Sequence, residues 1–423
     1  MPKITTRFPF FGKRFFRRAR KLLGSCQMQH LWRVVTVMAA MHGRRNLKRI
    51  EELTGHERTR QAISHFLTQA EWDAPQLLWQ TALDRLEQMH FHSSDLLYLV
   101  LDDTQKRKRG KQMEAVSKIF LHAEKVYANG HTILGAALIY RNVVIPCAVR
   151  LWAARSCCAA GIEAEPGVSL EFNKLTELAA QIVGELRQRL PKATQAIVMF
   201  DSYYLCPAVT AACRQADMRY LGVAKKNRNF APDGRPRDCR KLGKYGRDVL
   251  RREGRTVSVQ GKRHRLAERV GDLSKSGRVK LVFSRRPGET AWVALATDEL
   301  RWSKKTIVGH YLHRWGIELL FKASKQYLGL GDYQLLGYRG VSRYLHLVLI
   351  AYLLLTHLAL AADAKACAKR RTSTAEHSTT PAIPPRATLG RVDHSPSNHP
   401  SKPRHGPENQ GIDSTMNPQP FTV

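Results

Sequence analysis

The sequence predicts an α/β protein: a mixed sheet flanked by helices, a helical region ahead of it, and a β-rich insertion late in the chain. Three observations carry this. LLYLVL at 96–101 and AIVMF at 196–200 are short unbroken apolar runs, the pattern of strands buried on both faces. Elsewhere the apolar period lengthens to that of helices, most clearly over 171–190, which Pro191 closes. The chain has 423 residues, 43% of them hydrophobic, enough for a sizeable core and more than one domain.

Residues 1–26 read as a basic arm. Lys3, Arg7, Lys13, Arg14, Arg17, Arg18, Arg20 and Lys21 stand there without an acid, and no apolar stretch resembles a secretory signal. Residues 27–92 form a helical, DNA-binding region. Leu47, Ile50 and Leu53 share a helix face that stops at Gly55, and Ala62, Ile63, Phe66 and Leu67 share a second. Helix, short turn, helix is the layout of a DNA reader and also of an ordinary αα-hairpin; spacing alone favours the plainer hairpin.

Residues 93–224 hold the first part of the α/β core. Strand 96–101 is followed by strands over 132–140 and 143–152, joined by Arg141-Asn142, then by helix 171–190, strand 196–200, helix 207–216 and strand 219–224. Residues 225–300 form a basic β-rich insertion. Its stretch 225–280 carries 19 Lys/Arg against 6 Asp/Glu, too basic for a simple core element. Residues 301–363 give one long helix over 304–327 and an apolar helix over 345–362. The latter reads as a buried helix rather than a membrane span, because His346, Tyr352, Thr356 and His357 interrupt it. Nine of the 19 prolines fall in residues 364–423, an expected disordered tail.

The formal charge of +34 exceeds what solubility needs and points to a polyanionic partner, nucleic acid before a membrane surface. Eight cysteines without a CxxC pair or zinc spacing argue against a disulfide framework and fit a reducing, cytoplasmic setting; the charge directed at nucleic acid adds the expectation of nucleoid association.

Asp103 and Asp201 each follow a buried strand, where open α/β sheets place their active sites. Asp102 precedes Asp103, and strand alternation sends the two to opposite faces, so only one faces the site. At about 100° per residue, Tyr311, Arg314, Glu318, Lys322 and Lys325 fall within an arc of about 80°, a carboxylate among cations on one helix face. An exposed Glu318–Lys322 pair would account for part of that face. Three carboxylates without soft ligands suit two Mg²⁺ or Mn²⁺ ions, which roughly 4 Å apart activate an attacking oxygen and stabilise the leaving oxygen of a phosphodiester. The flanking cations would hold the DNA backbone.

These blocks carry a resemblance. Tyr311-x2-Arg314-x3-Glu318-x6-Lys325, within YLHRWGIELLFKASK, resembles the YREK signature of cut-and-paste bacterial insertion-sequence transposases with a DDE triad. LDDT at 101–104 and VMFDSYY at 198–204 resemble that family's two aspartate regions, and the likeness spans roughly residues 30 to 360. It implies an RNase H-like core and DNA cleavage at terminal inverted repeats, followed by 3′-hydroxyl transfer into target DNA by a homodimer. Asp103, Asp201 and Glu318 are implied as metal ligands, Asp103 because Thr104 follows it. Tyr311, Arg314 and Lys325 are implied as contacts to the phosphates near the cut end; Lys322 is expected to touch DNA from its place on the same helix face. Trp292 resembles a tryptophan that stacks on a flipped base, or else is a core residue of a strand. A stand-alone nuclease and a non-catalytic DNA-binding derivative are the competing functions.

Overall fold

The computed structural model describes residues 10–41, 43–54, 59–110, 112–122 and 124–376. The chain divides into two units, 1–360 and 361–423; of the second, only the stretch to residue 376 is described.

The helical region comprises α1 (Phe10–Phe15), a 3₁₀ turn (Ala19–Leu22), α2 (Ser25–Ala40), α3 (Leu47–Leu53), α4 (Arg60–Thr68) and α5 (Ala74–Gln88). Side-chain caps start three of them: Asn46 accepts from Arg49 N–H, Thr59 from Ala62 N–H and Asp73 from Gln76 N–H. Ile63, Phe66 and Leu67 are the buried face of α4, at the spacing the sequence shows. Residues 55–58, between α3 and α4, where the expected reader and hairpin layouts would differ, lie outside the described residues. The basic arm is not free over residues 10–22. Phe15, Phe16 and Ala19 are buried, Arg17 and Arg18 pair with Glu87, and Arg18 N–H donates to Asp84 at 2.8 Å. The phenylalanines interleaved with the cations explain this: burying each one outweighs holding the segment in water. Residues 1–9 lie outside the described part.

The sheet begins with β1 (Leu96–Arg107), β2 (Ser117–Leu121), β3 (Val126–Tyr140) and β4 (Val143–Trp152). Arg141 and Asn142, both at positive φ, make the tight turn between β3 and β4. After α6 (Arg155–Ala159) and a small ribbon of β5 (Glu163–Glu165) and β6 (Val168–Ser169), α7 (Leu175–Arg189) leads to β7 (Gln195–Phe200), and α8 (Pro207–Gln215) leads to β8 (Arg219–Val223). Strands β1, β7 and β8 run parallel, with β1 interior between β7 and β3; Leu97, Leu99, Val100 and Leu101 are all fully buried. Continuous apolar character follows from that position, with layers on both faces.

The insertion supplies β9 (Asn229–Pro232), a 3₁₀ turn (Pro236–Asp238), β10 (Arg240–Lys241), α9 (Leu242–Glu253), β11 (Arg255–Val259), β12 (Lys262–Leu273), β13 (Gly277–Arg285) and β14 (Trp292–Thr297). It is β-rich as expected, yet its strands continue the core sheet. β14 pairs antiparallel with β8, and the order runs β10-β9-β12-β13-β14-β8-β7-β1-β3-β2, with β11 on β12 and β4 on β3.

The long helix expected over 304–327 is α10 (Lys304–Tyr311), a 3₁₀ turn (Leu312–Arg314) and α11 (Trp315–Tyr327). The intervening residues stay in the right-handed helical region, so the path tightens without breaking. Finally α12 (Tyr338–Glu376) begins with the apolar run. By length and composition, 338–362 could cross a membrane. In the fold, Val341, Tyr344, Leu345, Leu347–Ala351, Leu353 and Leu354 are buried, and Arg343 donates to the carbonyls of Ala70 and Trp72. The helix also continues to Glu376, past the tail boundary expected at 364, because the run ADAKACAKRR is rich in helix formers. Residues 377–423 of that tail lie outside the described part.

Candidate active site

Parallel pairing fixes the heights of the strand-end acids. Leu101 on β1 lies beside Phe200 on β7, so Asp102 and Asp201 follow at the same edge of the sheet. Asp201 shapes the turn after β7: its Oδ1 accepts the Tyr203 N–H at 2.8 Å. That turn brings Tyr204 back under the strands, where its hydroxyl donates to Asp103 Oδ1 at 2.7 Å. Asp103 N–H in turn donates to Asp102 Oδ1 at 2.9 Å.

α11 crosses the same edge closely because two glycines permit it. Gly135 on β3 pairs with Asp102, and a Cβ there would stand 2.7 Å from the Phe321 ring. A Cβ on Gly316 would meet Ile139 at 2.7 Å. With both absent, Glu318 and Arg314 reach the acids. Arg314 donates to Asp102 Oδ2 at 3.1 Å and, through its other terminal nitrogen, to Glu318 Oε1. Lys325, two turns along, is half-buried; burial first, then the Lys106 charge, lowers its proton affinity, and the Asp103 charge opposes them.

The electrostatics follow from crowding like charges out of water. Burial, with Asp201, Asp103 and Glu318 nearby, pushes Asp102 up to about 7 against the pull of Arg314. Burial also raises Asp103, opposed by its bond from Tyr204, and raises Glu318, opposed by Arg314. Burial works against the Arg314 charge, but Tyr311 and the acids more than offset it. The site gathers four carboxylates, whose mutual repulsion added positive charge would relieve.

A family description for DDE superfamily endonucleases matches residues 25–274. The chain belongs to that family. No curated protein matches it. The match contains Asp102, Asp103 and Asp201 and ends at the close of β12, before Glu318. Glu318 lies beyond the match; α11 brings it to the strand ends, where Arg314 bonds both it and Asp102. Enzymes of the superfamily cleave DNA and generally use divalent metals.

Among the described residues, no three His, Cys, Asp or Glu side chains stand in a ligating arrangement; the Arg314 guanidinium lies between Asp102 and Glu318. The donor chemistry nevertheless fits a hard divalent ion. All donors are carboxylate oxygens, Asp103 is held only by a neutral hydroxyl, and Glu318 Oε2 is not the oxygen bonded to Arg314.

The other expected residues divide. Lys322 is exposed and Lys325 half-buried, both on the α11 face of Glu318. Tyr311 is only 2% exposed, its phenol raised by burial, so its ring belongs to the packing beneath the acids rather than to an open surface. Arg314 is committed to two carboxylates. Trp292 starts β14 at 8% exposure, edge-on to Phe283 and against Gly246, with the Lys226 ammonium 4.4 Å from its ring centroid. It is a core tryptophan, because strand alternation sets it on the face of buried Ala294 and Ala296. Sequence reasoning missed Tyr204 as the donor to Asp103; its place three residues beyond Asp201, within reach of an Asx-type turn, was the available signal.

Proposed function

We propose that the protein is a DDE transposase of the cut-and-paste, YREK-like bacterial insertion-sequence group. It nicks DNA at terminal inverted repeats and joins the freed 3′-hydroxyl to target DNA. The observation that supports this most is the convergence of two parallel strand ends and one helix on four carboxylates. In this reading the core is RNase H-like, and Asp103, Asp201 and Glu318 hold two Mg²⁺ or Mn²⁺ ions. Asp102 is left to Arg314. The choice of Asp103 rests on compensation: Asp102 already faces a guanidinium, whereas Asp103 has no cation bonded to it. Bound divalent metal supplies Lewis-acid stabilisation and an activated oxygen nucleophile.

The chain's own groups do the rest. Tyr204 fixes one oxygen of Asp103 and so orients the other. Arg314 keeps Asp102 and Glu318 from repelling each other before metal arrives, and Tyr311 packs against Arg314, its ring centroid 5.7 Å from the guanidinium. Lys322 and Lys325 hold phosphates of the cleaved end. Two ends processed together imply a homodimer.

The test is a joining assay. Purified chain, DNA carrying the flanking terminal repeats, a supercoiled target and Mg²⁺ should yield both cut and joined products. Cut product without joined product, at every metal and target concentration, would leave a nuclease and refute strand transfer. Asp103→Asn should abolish cutting while Asp102→Asn leaves part of it; the reverse order would exchange the two assignments.

A further inference from the structure

Tyr203 is not explained by the fold or by the proposed chemistry. The turn after β7 uses only its backbone N–H, bonded to Asp201, and its side chain is 45% exposed. The ring stands edge-on to Tyr204, centroids 5.2 Å apart, and Tyr204 in turn holds Asp103. The Tyr203 backbone N–H on Asp201 and the ring's edge contact with the tyrosine that holds Asp103 set the ring beside the acids.

The neighbouring parallel strand completes the arrangement. β8 ends at Val223, on the same edge of the sheet as the end of β7, and exposed Lys225 follows it. The Lys225 ammonium is 5.6 Å from the Tyr203 ring centroid. Lys226 is exposed next to it, and Arg247 on α9 is close enough to lower its proton affinity after burial does. An exposed aromatic ring at the acids thus opens a line of exposed cations leading away from them.

We propose that Tyr203 and Lys225 seat the DNA strand beside the cut: the base of the adjoining nucleotide stacks on the Tyr203 ring, and Lys225 takes a phosphate of the same strand. The proposal rests on the DNA-cleaving reading and adds to it a preference for locally unpaired DNA. A base offers its face only when it is out of the duplex stack, and an aromatic ring receives any base without reading its sequence. Lys225 exchanges its contact with the ring for a phosphate, which attracts it more strongly than a ring quadrupole does. Trp292, in the core, is not available for this work.

The experiment measures affinity by fluorescence anisotropy, with chelator present so that nothing is cut. The probes are a blunt duplex and the same duplex with a short single-stranded thymidine tail. The tail should raise the affinity of the parent chain by roughly 5- to 100-fold, the effect of one stacked base. In Tyr203→Ala the tailed-to-blunt ratio should fall to about 1, while Tyr203→Phe, which keeps the ring, should retain it. Lys225→Ala should weaken binding of the tailed probe by several-fold. Thermal melts of the variants check the fold, which a side chain this exposed does not hold together. A parental ratio near 1, or a Tyr203→Ala chain that keeps the parental ratio, overturns the proposal and leaves the DNA-cleaving reading standing. A parent that binds neither probe overturns both.

Discussion

Replacing Arg314 by methionine tests how the carboxylate cluster is held together. The guanidinium side chain is 13% exposed and contacts Asp102, 18% exposed, and Glu318, 30% exposed. Methionine keeps much of the length and removes the charge, leaving two partly buried carboxylates near each other and Asp201. Stranding a buried charge in this way costs about 3–5 kcal/mol, and the partial exposure of Glu318 sets the expectation near the lower end, about 3 kcal/mol. Asp102→Asn alone should cost about 1–2 kcal/mol, because Arg314 keeps its bond to Glu318. Combined, the two should cost less than their sum by about 1–2 kcal/mol, the signature of a direct contact. Arg314→Lys should recover under half the loss, since a single ammonium cannot fork between two acids. The assay is urea unfolding of the full chain followed by circular dichroism, in chelator. A loss below about 0.5 kcal/mol for Arg314→Met, or strict additivity of the pair, would refute the bridging role.

Three further outcomes follow from the fold. Gly135→Ala pushes a methyl into the Phe321 ring, 2.7 Å away, and should cost about 1–3 kcal/mol in a thermal melt; Phe321→Leu in the same chain should return part of it. Burial holds His131 down to about 4 and His346 down to about 3, both below the ordinary histidine value. Their folded-state values lie below the unfolded one, so stability is intact above about pH 6.5 and drains away as pH falls toward 4 and 3; His131 alone accounts for about 3 kcal/mol, and His131→Gln should flatten that part of the urea-midpoint profile. On α9, Lys244, Arg247 and Arg251 are exposed along one stripe. Changing all three to Gln should reduce the slope of log affinity for DNA against log salt by roughly 2 to 3, and an unchanged slope would remove α9 from the DNA surface.

Much of the sheet was legible because burial on both faces leaves unbroken apolar runs, and the acids at their ends were conspicuous against them. Pairing of β14 with β8 was not legible. It joins residues more than 70 positions apart, and charge made the insertion look separate when its strands extend the core. Strand alternation could not say which of Asp102 and Asp103 Arg314 would bond; that depended on the path of α11, set by Gly135 and Gly316. The helical arc placed Glu318 with its cations, yet uniform 100° steps could not foresee the 3₁₀ turn or Tyr311 turning inward. In the arm, net charge hid Phe15 and Phe16; deleting that segment would therefore remove core residues along with cations. Trp292 shows the limit of reading one aromatic in isolation, since only its neighbours Phe283 and Gly246 reveal that it is packed.

The most direct measurement of the central claim is Mg²⁺-dependent DNA cleavage by the full chain beside Asp201→Asn and Glu318→Gln. The strand-end and helix carboxylates are predicted to act as one metal-binding unit. Each substitution should therefore lower the rate at least roughly a hundredfold, because bound metal supplies several kcal/mol of transition-state stabilisation. Parental cleavage by either variant would contradict the account.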